Sequence, residues 1–253
     1  MLAVILAAGD GTRMVPLTHH RPKPLVSVAG QPLIHHILRA LAQTGVVQIV
    51  IVDGYRGEHI RRALGDGSAF GVHLRYVRSR HVGRGSALSL YAAREAVGDR
   101  PFLLMMGDHL VSPALVRRIL RPIPRRNTLC VDRHARWVRP EEATLVWVKP
   151  DGRIAHIGKG LPRYNGVDTG LFWFTPFIFR AVEAVRSSAS RPPTLTETMR
   201  WLIERGPGLW AREVSGAAWM DVDTVQDLRQ AERWLLRHGR PTTRPRRTNR
   251  WTQ

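Results

Sequence analysis

Short apolar runs alternate with amphipathic stretches along the first half of the chain. The runs typical of buried strands cover residues 2–6, 46–52, 74–77 and 102–106. Between them, the 3.6-residue spacing of apolar positions predicts helices over residues 32–44, 56–64 and 84–97. Gly45 is placed as the C-cap of the first helix. This alternation predicts an α/β fold, an open parallel sheet with helices on both faces.

The pattern changes after residue 125, where short strands follow one another. Strands are predicted over residues 128–132, 143–149, 153–157 and 169–174, and helices over 194–205 and 224–237. Pro150-Asp151-Gly152 favours a tight turn between the second and third of these strands. We predict one domain over residues 1–238, with parts 1–125 and 126–238. Residues 239–253, rich in Arg, Pro and Thr, predict a disordered tail.

Charge sets this sequence apart. Thirty-nine Lys and Arg against 20 Asp and Glu give a formal net charge of +19, and only Lys23, Lys149 and Lys159 are lysines. Such a chain attracts nucleic acid, acidic lipid or phosphorylated metabolites. The single Cys130 makes no internal disulfide, and no apolar run approaches the ~18 residues of a membrane span. We therefore expect a soluble, cytoplasmic protein.

A glycine-rich loop follows the first strand. Residues 6–14 read LAAGDGTRM, so two glycines bracket a turn whose N–H groups can face an anion, and Arg13 adds a fork of donors. The loop has neither the P-loop ending nor the dinucleotide fingerprint. Lys23 follows between Pro22 and Pro24, which stiffen the backbone around it. A plain structural turn and a solvated lysine are the alternatives.

Three aspartates complete the candidate chemistry. Asp108 follows Gly107 at the end of the fourth strand, and Asp221 and Asp223 precede the last helix. In an extended segment, Asp221 and Asp223 point to the same side. Mg²⁺ is typically held by one or two carboxylates plus substrate oxygens. The alternatives are a strand-end turn at Asp108 and a helix cap at Asp223 or Thr224, and the pattern does not choose between Asp221 and Asp223 as the ligand.

The string from Leu6 to Leu25, LAAGDGTRMVPLTHHRPKPL, resembles the signature of the sugar-phosphate nucleotidylyltransferases. The resemblance covers most of residues 1–235. It implies a Rossmann-like, GT-A-like fold with a mixed, mostly parallel sheet and a small β-rich acceptor lobe. It also implies Mg²⁺ as cofactor, and transfer of a nucleotidyl group from a nucleoside triphosphate to a phosphorylated acceptor with release of pyrophosphate.

The same resemblance implies roles for individual residues. Arg13, Lys23 and Asp108 would be catalytic, and Asp108 with Asp221 or Asp223 would bind the metal. The nucleotide would contact a set made of the loop, its two cations and the first aspartate: Leu6, Ala7, Ala8, Gly9, Asp10, Gly11, Thr12, Arg13, Lys23 and Asp108. Arg84, Gly85 and Ser86 resemble the segment that reads the base, although Ser86 is equally placed as a helix N-cap.

Residues after 105 are similar to the CTP:inositol-1-phosphate cytidylyltransferases, which make CDP-inositol. The similar segments are 106–109, 131–133, 140–144, 157–161 and 167–170. This resemblance implies CTP and inositol 1-phosphate as substrates. It places His109, Glu142, Lys159, Asp168, Thr169 and Gly170 at the acceptor. An exposed hairpin lysine is the alternative for Lys159. Another phosphorylated sugar with UTP, GTP or dTTP, or phosphocholine with CTP, is the alternative reaction.

Partners are the last expectation. In that family the domain is often fused to a membrane-embedded CDP-alcohol phosphotransferase, which we expect here as a separate protein. Six arginines between residues 237 and 250 suggest that the tail contacts anionic lipid at the inner membrane surface. Equal binding of full-length and 1–238 protein to anionic vesicles would contradict this. A polyanion-binding module is the remote alternative, but no nucleic-acid-binding motif appears, and the sequence does not indicate an oligomeric state.

Overall fold

In the computed structural model we describe residues 1–81, 85–135, 138–188 and 190–238. Residues 237 and 238 are described by their backbone only. The strands are β1 (Leu2–Ala7), β2 (Ser27–Val28), β3 (Gln31–Pro32), β4 (Gln48–Asp53), β5 (His73–Arg78), β6 (Phe102–Met106), β7 (His109–Val111), β8 (Thr128–Asp132), β9 (Leu145–Val148), β10 (Ile154–Gly158), β11 (Gly166–Phe174), β12 (Trp210–Glu213) and β13 (Trp219–Asp221). The helices are α1 (Leu33–Ala42), α2 (Gly57–Leu64), α3 (Ser86–Ala92), α4 (Arg94–Val97), α5 (Pro113–Leu120), α6 (Phe177–Ser188), α7 (Leu195–Glu204) and α8 (Val225–His238).

The central sheet is mixed. Its strands lie in the order β5-β4-β1-β6-β11-β9-β10, and β8 and β12 extend it beside β11. The four strands from the first half, β5, β4, β1 and β6, are parallel to one another, whereas β11 runs antiparallel to β6. The carboxyl ends of β1, β4 and β6 therefore meet at one edge, which is where open α/β sheets bind ligands.

Helices cover both faces of this sheet because the side chains of β1 alternate. Ala3 and Ile5 pack in the core formed with α1, α2 and α5. Val4 and Leu6 pack in the opposite core, formed with α3, α4, α6 and α7. This two-period alternation, buried on both sides, explains why β1 reads as a continuous apolar run.

A third, smaller core lies under the carboxyl edge. It joins the turn after β1, through Met14, to Leu110 of β7, to Met220 and Val222 around β13, and to Ala231 of α8. Met14, Val222 and Ala231 are fully buried. This packing holds four segments that are remote in sequence against one another, and the candidate site stands on them.

The structure confirms the α/β fold class and the Pro150–Gly152 turn, where Gly152 has φ +84°. The predicted helix over 84–97 is two helices that meet at Ala93, and residue 84 lies outside the described part. Gly45 has φ +79° but lies beyond the cap residue, Gln43. The pattern missed two helices, α5 and α6, and five short strands, β2, β3, β7, β12 and β13.

Two further expectations, on the division of the domain and on the tail, are not tested by the structure. The division near residue 125 stays a prediction, and the tail over 239–253 falls outside the described residues. Among the described helices, none has the length and apolar character that crossing a membrane requires.

Candidate active site

A two-stranded ribbon brings the predicted aspartates together. β13 pairs antiparallel with β7 so that Asp221 lies opposite His109. The N–H of Val222 donates to the carbonyl oxygen of Asp108 at 3.0 Å. Asp108 sits at the carboxyl end of β6, so the ribbon delivers Asp221 and Asp223 to the edge of the parallel sheet.

Lys23 lies at the centre of this cluster. A short 3-10 turn, opened by Pro22, buries its side chain. Its ammonium donates to Asp108 Oδ2 at 2.8 Å and to Asp223 Oδ1 at 2.5 Å. Burial alone would lower the pKa of Lys23, but the attraction of Asp108, Asp223 and Asp221 outweighs it and raises that pKa. The ammonium is therefore charged throughout the physiological pH range.

Arg13 adds a second cation, because its Nη1 lies 2.7 Å from Asp223 Oδ2. The guanidinium is 63% exposed, so it closes the cluster on the solvent side. Asp223 thus bridges the two cations that the sequence singled out. Of the two residues offered as a helix cap, Asp223 and Thr224, it is Thr224 that caps α8. The N–H of Asp227 donates to Thr224 Oγ1, and the N–H of Thr224 donates to Asp227 Oδ2.

Asp221 lies beside two other carboxylates and the His109 imidazole. Desolvation and the repulsion of Asp108 and Asp223 raise the pKa of Asp221 to about 7, although His109 opposes the rise. Desolvation lowers the pKa of His109, but Asp221 and Asp108 outweigh it and raise that pKa to about 9. Asp108 keeps a pKa below its usual range, because Lys23 and the hydrogen bond from His109 offset its burial.

The same residues form a group that could hold a metal ion. Donor atoms of Asp108, His109 and Asp221 all lie within 4.8 Å of one another. Among the described residues, the buried Oδ1 of Asp221 has no hydrogen-bond partner, and His109 Nδ1 lies 3.7 Å from it, beyond hydrogen-bond distance. A buried carboxylate oxygen without a donor is costly, and a cation would satisfy it. The carboxylate oxygens suit a hard ion such as Mg²⁺.

The glycine-rich loop lies beside this cluster. Leu6, Ala7 and Ala8 are buried, so they offer backbone rather than side chains, whereas Gly9 is exposed. Gly11 adopts φ +67°, and the Thr18 hydroxyl donates to its carbonyl oxygen at 2.8 Å. The N–H of Thr12 donates to Asp10 Oδ1 at 3.4 Å. The Thr18 hydrogen bond therefore fixes the turn on its protein side, while Gly9 is exposed to solvent.

Close backbone packing fixes the base of the loop. The N–H of Gly107, after β6, donates to the Leu6 carbonyl oxygen at 2.8 Å. A Cβ on Gly54, after β4, would lie 2.7 Å from the Ala8 carbonyl oxygen. Only glycine allows both neighbouring strands to end this close to the loop.

The residues predicted to bind the acceptor have different surroundings. Asp168 is partly buried and accepts from the Gly170 N–H at 2.7 Å; desolvation raises its pKa to about 6. Thr169 is fully buried and its hydroxyl donates to the Cys130 carbonyl oxygen, so this side chain serves the sheet. Gly170 faces His109 so closely that a Cβ there would overlap the imidazole. Its lack of a side chain is therefore a steric requirement.

Glu142 and Lys159 lie at the surface of the second part. Glu142 pairs with Arg139 at 3.1 Å and lines a cleft of about 60 Å³ with Asp221 and Asp223. Lys159 is exposed directly after β10, which fits both the acceptor role and the hairpin alternative. A groove of about 1000 Å³ between α3–α4 and α6 contains none of the predicted site residues.

The predicted base-reading segment is only partly described, since Arg84 lies outside it. Gly85 is the N-cap of α3, so the N-cap alternative for Ser86 is wrong. Instead, Ser86 Oγ accepts from the Leu195 N–H at 3.0 Å and ties α3 to α7. α7 itself begins with the capping box of Thr194 and Glu197.

Two buried residues next to the cluster were missed. Trp219 Nε1 donates to Asp132 Oδ2 at 2.9 Å, and the indole is stacked with the His109 ring. Asp132 lies in segment 131–133, which the sequence analysis singled out, and Trp219 lies two residues before Asp221. Nothing in the local pattern pairs them, because the contact joins residues of β8 and β13.

A family model for nucleotidyl transferases matches residues 2–238. The chain belongs to this family. It is therefore an enzyme of nucleotidyl transfer, which confirms the prediction of an enzyme over a pure polyanion-binding module.

Individual relatives narrow the comparison. The nucleotidyltransferase is 37% identical over 92% of its chain to "Bifunctional IPC transferase and DIPP synthase" of Rubrobacter xylanophilus, and spans about half (52%) of that relative's length. It is 34% identical over 92% of its chain to "N-acetylmuramate alpha-1-phosphate uridylyltransferase" of Neisseria meningitidis, covering 97% of that protein. The inositol-1-phosphate CTP transferase structure from T. maritima superposes with a TM-score of 0.79 and 27% identity, covering 89% of this chain and 90% of that one.

Proposed function

We propose that this nucleotidyltransferase transfers a cytidylyl group from CTP to inositol 1-phosphate, giving CDP-inositol and pyrophosphate. The observation that carries the proposal is the Lys23 ammonium, held between Asp108 and Asp223 beside the glycine-rich loop. This arrangement combines a fixed cation, carboxylates for a metal and free backbone donors, which triphosphate chemistry requires. The choice of CTP and inositol 1-phosphate is supported by the Rubrobacter relative and the T. maritima neighbour.

The reaction follows from charge and position. An oxygen of the acceptor phosphate attacks the α-phosphorus of CTP, a new P–O bond forms, and the bond to the β-phosphate breaks. Pyrophosphate leaves with the bonding electron pair. The acceptor phosphate has a second pKa of about 6, so it is mostly ionised near pH 7 and needs no general base. Arg13 and Lys23 stabilise the negative charge of the triphosphate as it develops.

Asp108 and Asp221, with Asp223 beside them, would hold a divalent metal ion, which we propose is Mg²⁺. When bound, the ion neutralises charge on the phosphate oxygens. The Asp221 Oδ1, which has no hydrogen bond, and the carboxylates of Asp108 and Asp221 fit such an ion. Lys23 keeps Asp108 and Asp223 ionised and correctly placed before the nucleotide arrives.

The second part of the domain would bind the acceptor. We assign the acceptor's phosphate to Lys159, which is exposed and pairs with no carboxylate among the described residues. The acceptor's ring hydroxyls would contact Asp168, in β11, and Glu142, in the segment before β9. Base reading by Gly85 and Ser86, together with Arg84, completes the proposal.

A uridylyltransferase acting on a sugar 1-phosphate is the second candidate. The observation that favours it is the Neisseria relative, which this chain matches over nearly its whole length, whereas it spans only half of the bifunctional relatives. Both candidates use the same loop and carboxylates. They differ only in the base and the acceptor.

Pyrophosphate release tests both candidates. Purified protein with Mg²⁺ is assayed with each of four nucleoside triphosphates against inositol 1-phosphate, N-acetylmuramate 1-phosphate, glucose 1-phosphate and phosphocholine. Release confined to CTP with inositol 1-phosphate supports the proposal. Release with UTP and a sugar 1-phosphate instead replaces it with the second candidate.

A matched pair of variants tests the role of the carboxylates. Asp108→Asn should lose at least 10²-fold in rate, since one oxyanion-stabilising or metal-holding group typically contributes that much. Asp151→Asn, in the exposed β9–β10 turn, makes the same chemical change away from the cluster and should keep full activity. Full activity in Asp108→Asn would overturn the assignment.

A further inference from the structure

The His109 imidazole lies in a narrow slot. Its Nδ1 is 2.9 Å from Asp108 Oδ1. One face of the ring is parallel to the Trp219 indole, with 6.4 Å between centroids and 7° between planes. On another side is Gly170 of β11, where any Cβ would overlap the ring. The imidazole therefore has little freedom to turn.

Asp132 fixes one wall of that slot. It is 6% exposed, its Oδ2 accepts from Trp219 Nε1 at 2.9 Å, and its Oδ1 accepts from the His134 N–H at 2.8 Å. Both carboxylate oxygens are used, so the carboxylate cannot rotate without losing a hydrogen bond. The indole, 5% exposed, is held in plane by this contact.

We propose that Asp132, Trp219 and Gly170 are positioning residues for the nucleotidyl-transfer site. They hold the His109 ring, which binds Asp108 Oδ1, and Asp108 then presents Oδ2 to Lys23 and to the proposed metal position. This inference rests on the proposed function of the cluster. Groups that hydrogen-bond to ligands of a metal orient those ligands, and their loss typically costs about 10–100-fold in affinity or activity.

A merely structural role would have a different consequence. A buried indole N–H needs an acceptor in any protein, so its loss always lowers stability. Positioning predicts an additional change at the cluster itself. Asn127 provides a control for the loss of a buried hydrogen bond outside the site. It is buried directly before β8, and its Oδ1 accepts from the Thr175 N–H and hydroxyl.

The experiment compares Asp132→Ala, Asp132→Asn and Asn127→Ala with the wild-type chain. Three quantities are measured: the melting temperature, the binding of Mn²⁺ to the protein alone by electron paramagnetic resonance, and the NMR signals of the His109 ring. We expect Asp132→Ala to weaken Mn²⁺ binding by about 10-fold, the lower end of the range for direct partners of a metal ligand, because Asp132 acts through Trp219 and His109. It should also shift the His109 signals, because the indole ring current moves. Asp132→Asn keeps one acceptor oxygen, which can serve Trp219 Nε1 while its NH2 faces the His134 N–H, and it should restore part of both readouts.

Asn127→Ala should lower the melting temperature without changing either site readout. Wild-type Mn²⁺ affinity and unmoved His109 signals in a folded Asp132→Ala protein would overturn the proposal. If that variant does not fold, Trp219→Phe, which keeps an aromatic face but loses the N–H donor, answers the same question. The His109 NMR signals can be measured without metal or substrate. If the wild-type chain releases no pyrophosphate, the proposed function is wrong, but the NMR comparison of the variants still tests the positioning of His109.

Discussion

Replacing Lys23 with methionine removes the buried ammonium that bridges Asp108 and Asp223. The side chain keeps its length and apolar stem, so packing around Pro22 and Pro24 is retained. What is lost is the ammonium, whose contacts with Asp108 and Asp223 measure 2.8 and 2.5 Å. In the variant, Asp108, Asp221 and Asp223 would face one another with only Arg13 and His109 as compensation.

The size of the effect follows from these distances. At an effective dielectric constant of about 20, each contact contributes roughly 6 kcal/mol before desolvation is counted. Lys23 is 9% exposed and the two carboxylates 26% and 17%, so desolvation cancels much of this gain. Breaking a buried pair by removing one partner typically costs about 3–5 kcal/mol. At about 2–4 °C per kcal/mol for a domain of this size, the melting temperature should fall by roughly 6–20 °C.

The assay is thermal and urea unfolding of Lys23→Met with Lys149→Met as control, since Lys149 is an exposed lysine at the β9–β10 turn. The control should unfold within about 0.5 kcal/mol of the wild type. Added Mg²⁺ should stabilise Lys23→Met more than the wild type, because Asp108 and Asp223 lose the ammonium between them. A Lys23→Met protein as stable as the control, with or without Mg²⁺, would refute the view that Lys23 compensates the cluster.

Three further outcomes are expected. Gly11→Ala should lose stability and activity, because a Cβ at φ +67° would lie 2.9 Å from the Thr18 side chain. Gly30→Ala, with φ +80° and open space around the Cβ, should lose only the backbone cost of about 1–2 kcal/mol. An equal loss of stability in the two variants would contradict this steric argument. Cys130 is fully buried and burial raises its pKa, so a thiol reagent should label it only after unfolding in guanidinium. Burial lowers the pKa of His36 below 6.5, so the folded state binds fewer protons, and the stability this contributes is present above pH 6.5 and lost as the pH falls. The melting temperature of His36→Gln should therefore fall less between pH 7 and 5.5, and parallel curves would refute that reasoning.

The elements whose formation depends on residues close together in the chain could be predicted from the sequence. The run over 102–106 coincides with β6, and the apolar spacing over 32–44 contains α1, because a strand or helix buried in a core must repeat its apolar positions with the period of its backbone. The loop over 6–14 and the Pro22-Lys23-Pro24 segment were found for the same reason. Their glycines and prolines act on the adjacent backbone.

The short elements escaped because they carry no period. β7 and β13 have three residues each, too few for alternation to be visible, yet their pairing decides that Asp221 lies opposite His109. The sequence could not choose between Asp221 and Asp223. The tertiary structure separates them, since Asp223 binds Lys23 and Arg13 while Asp221 lies with Asp108 and His109.

The sequence by itself determined the layered α/β fold, the loop and the chemical groups of the site, since each depends on residues close together in the chain. The tertiary structure alone decided which of those groups meet. The Asp132–Trp219 hydrogen bond, the Ser86–Leu195 contact and the fit of His109 against Gly170 join distant segments. Such contacts depend on strand register and on which side chains are buried, and a chain read residue by residue fixes neither.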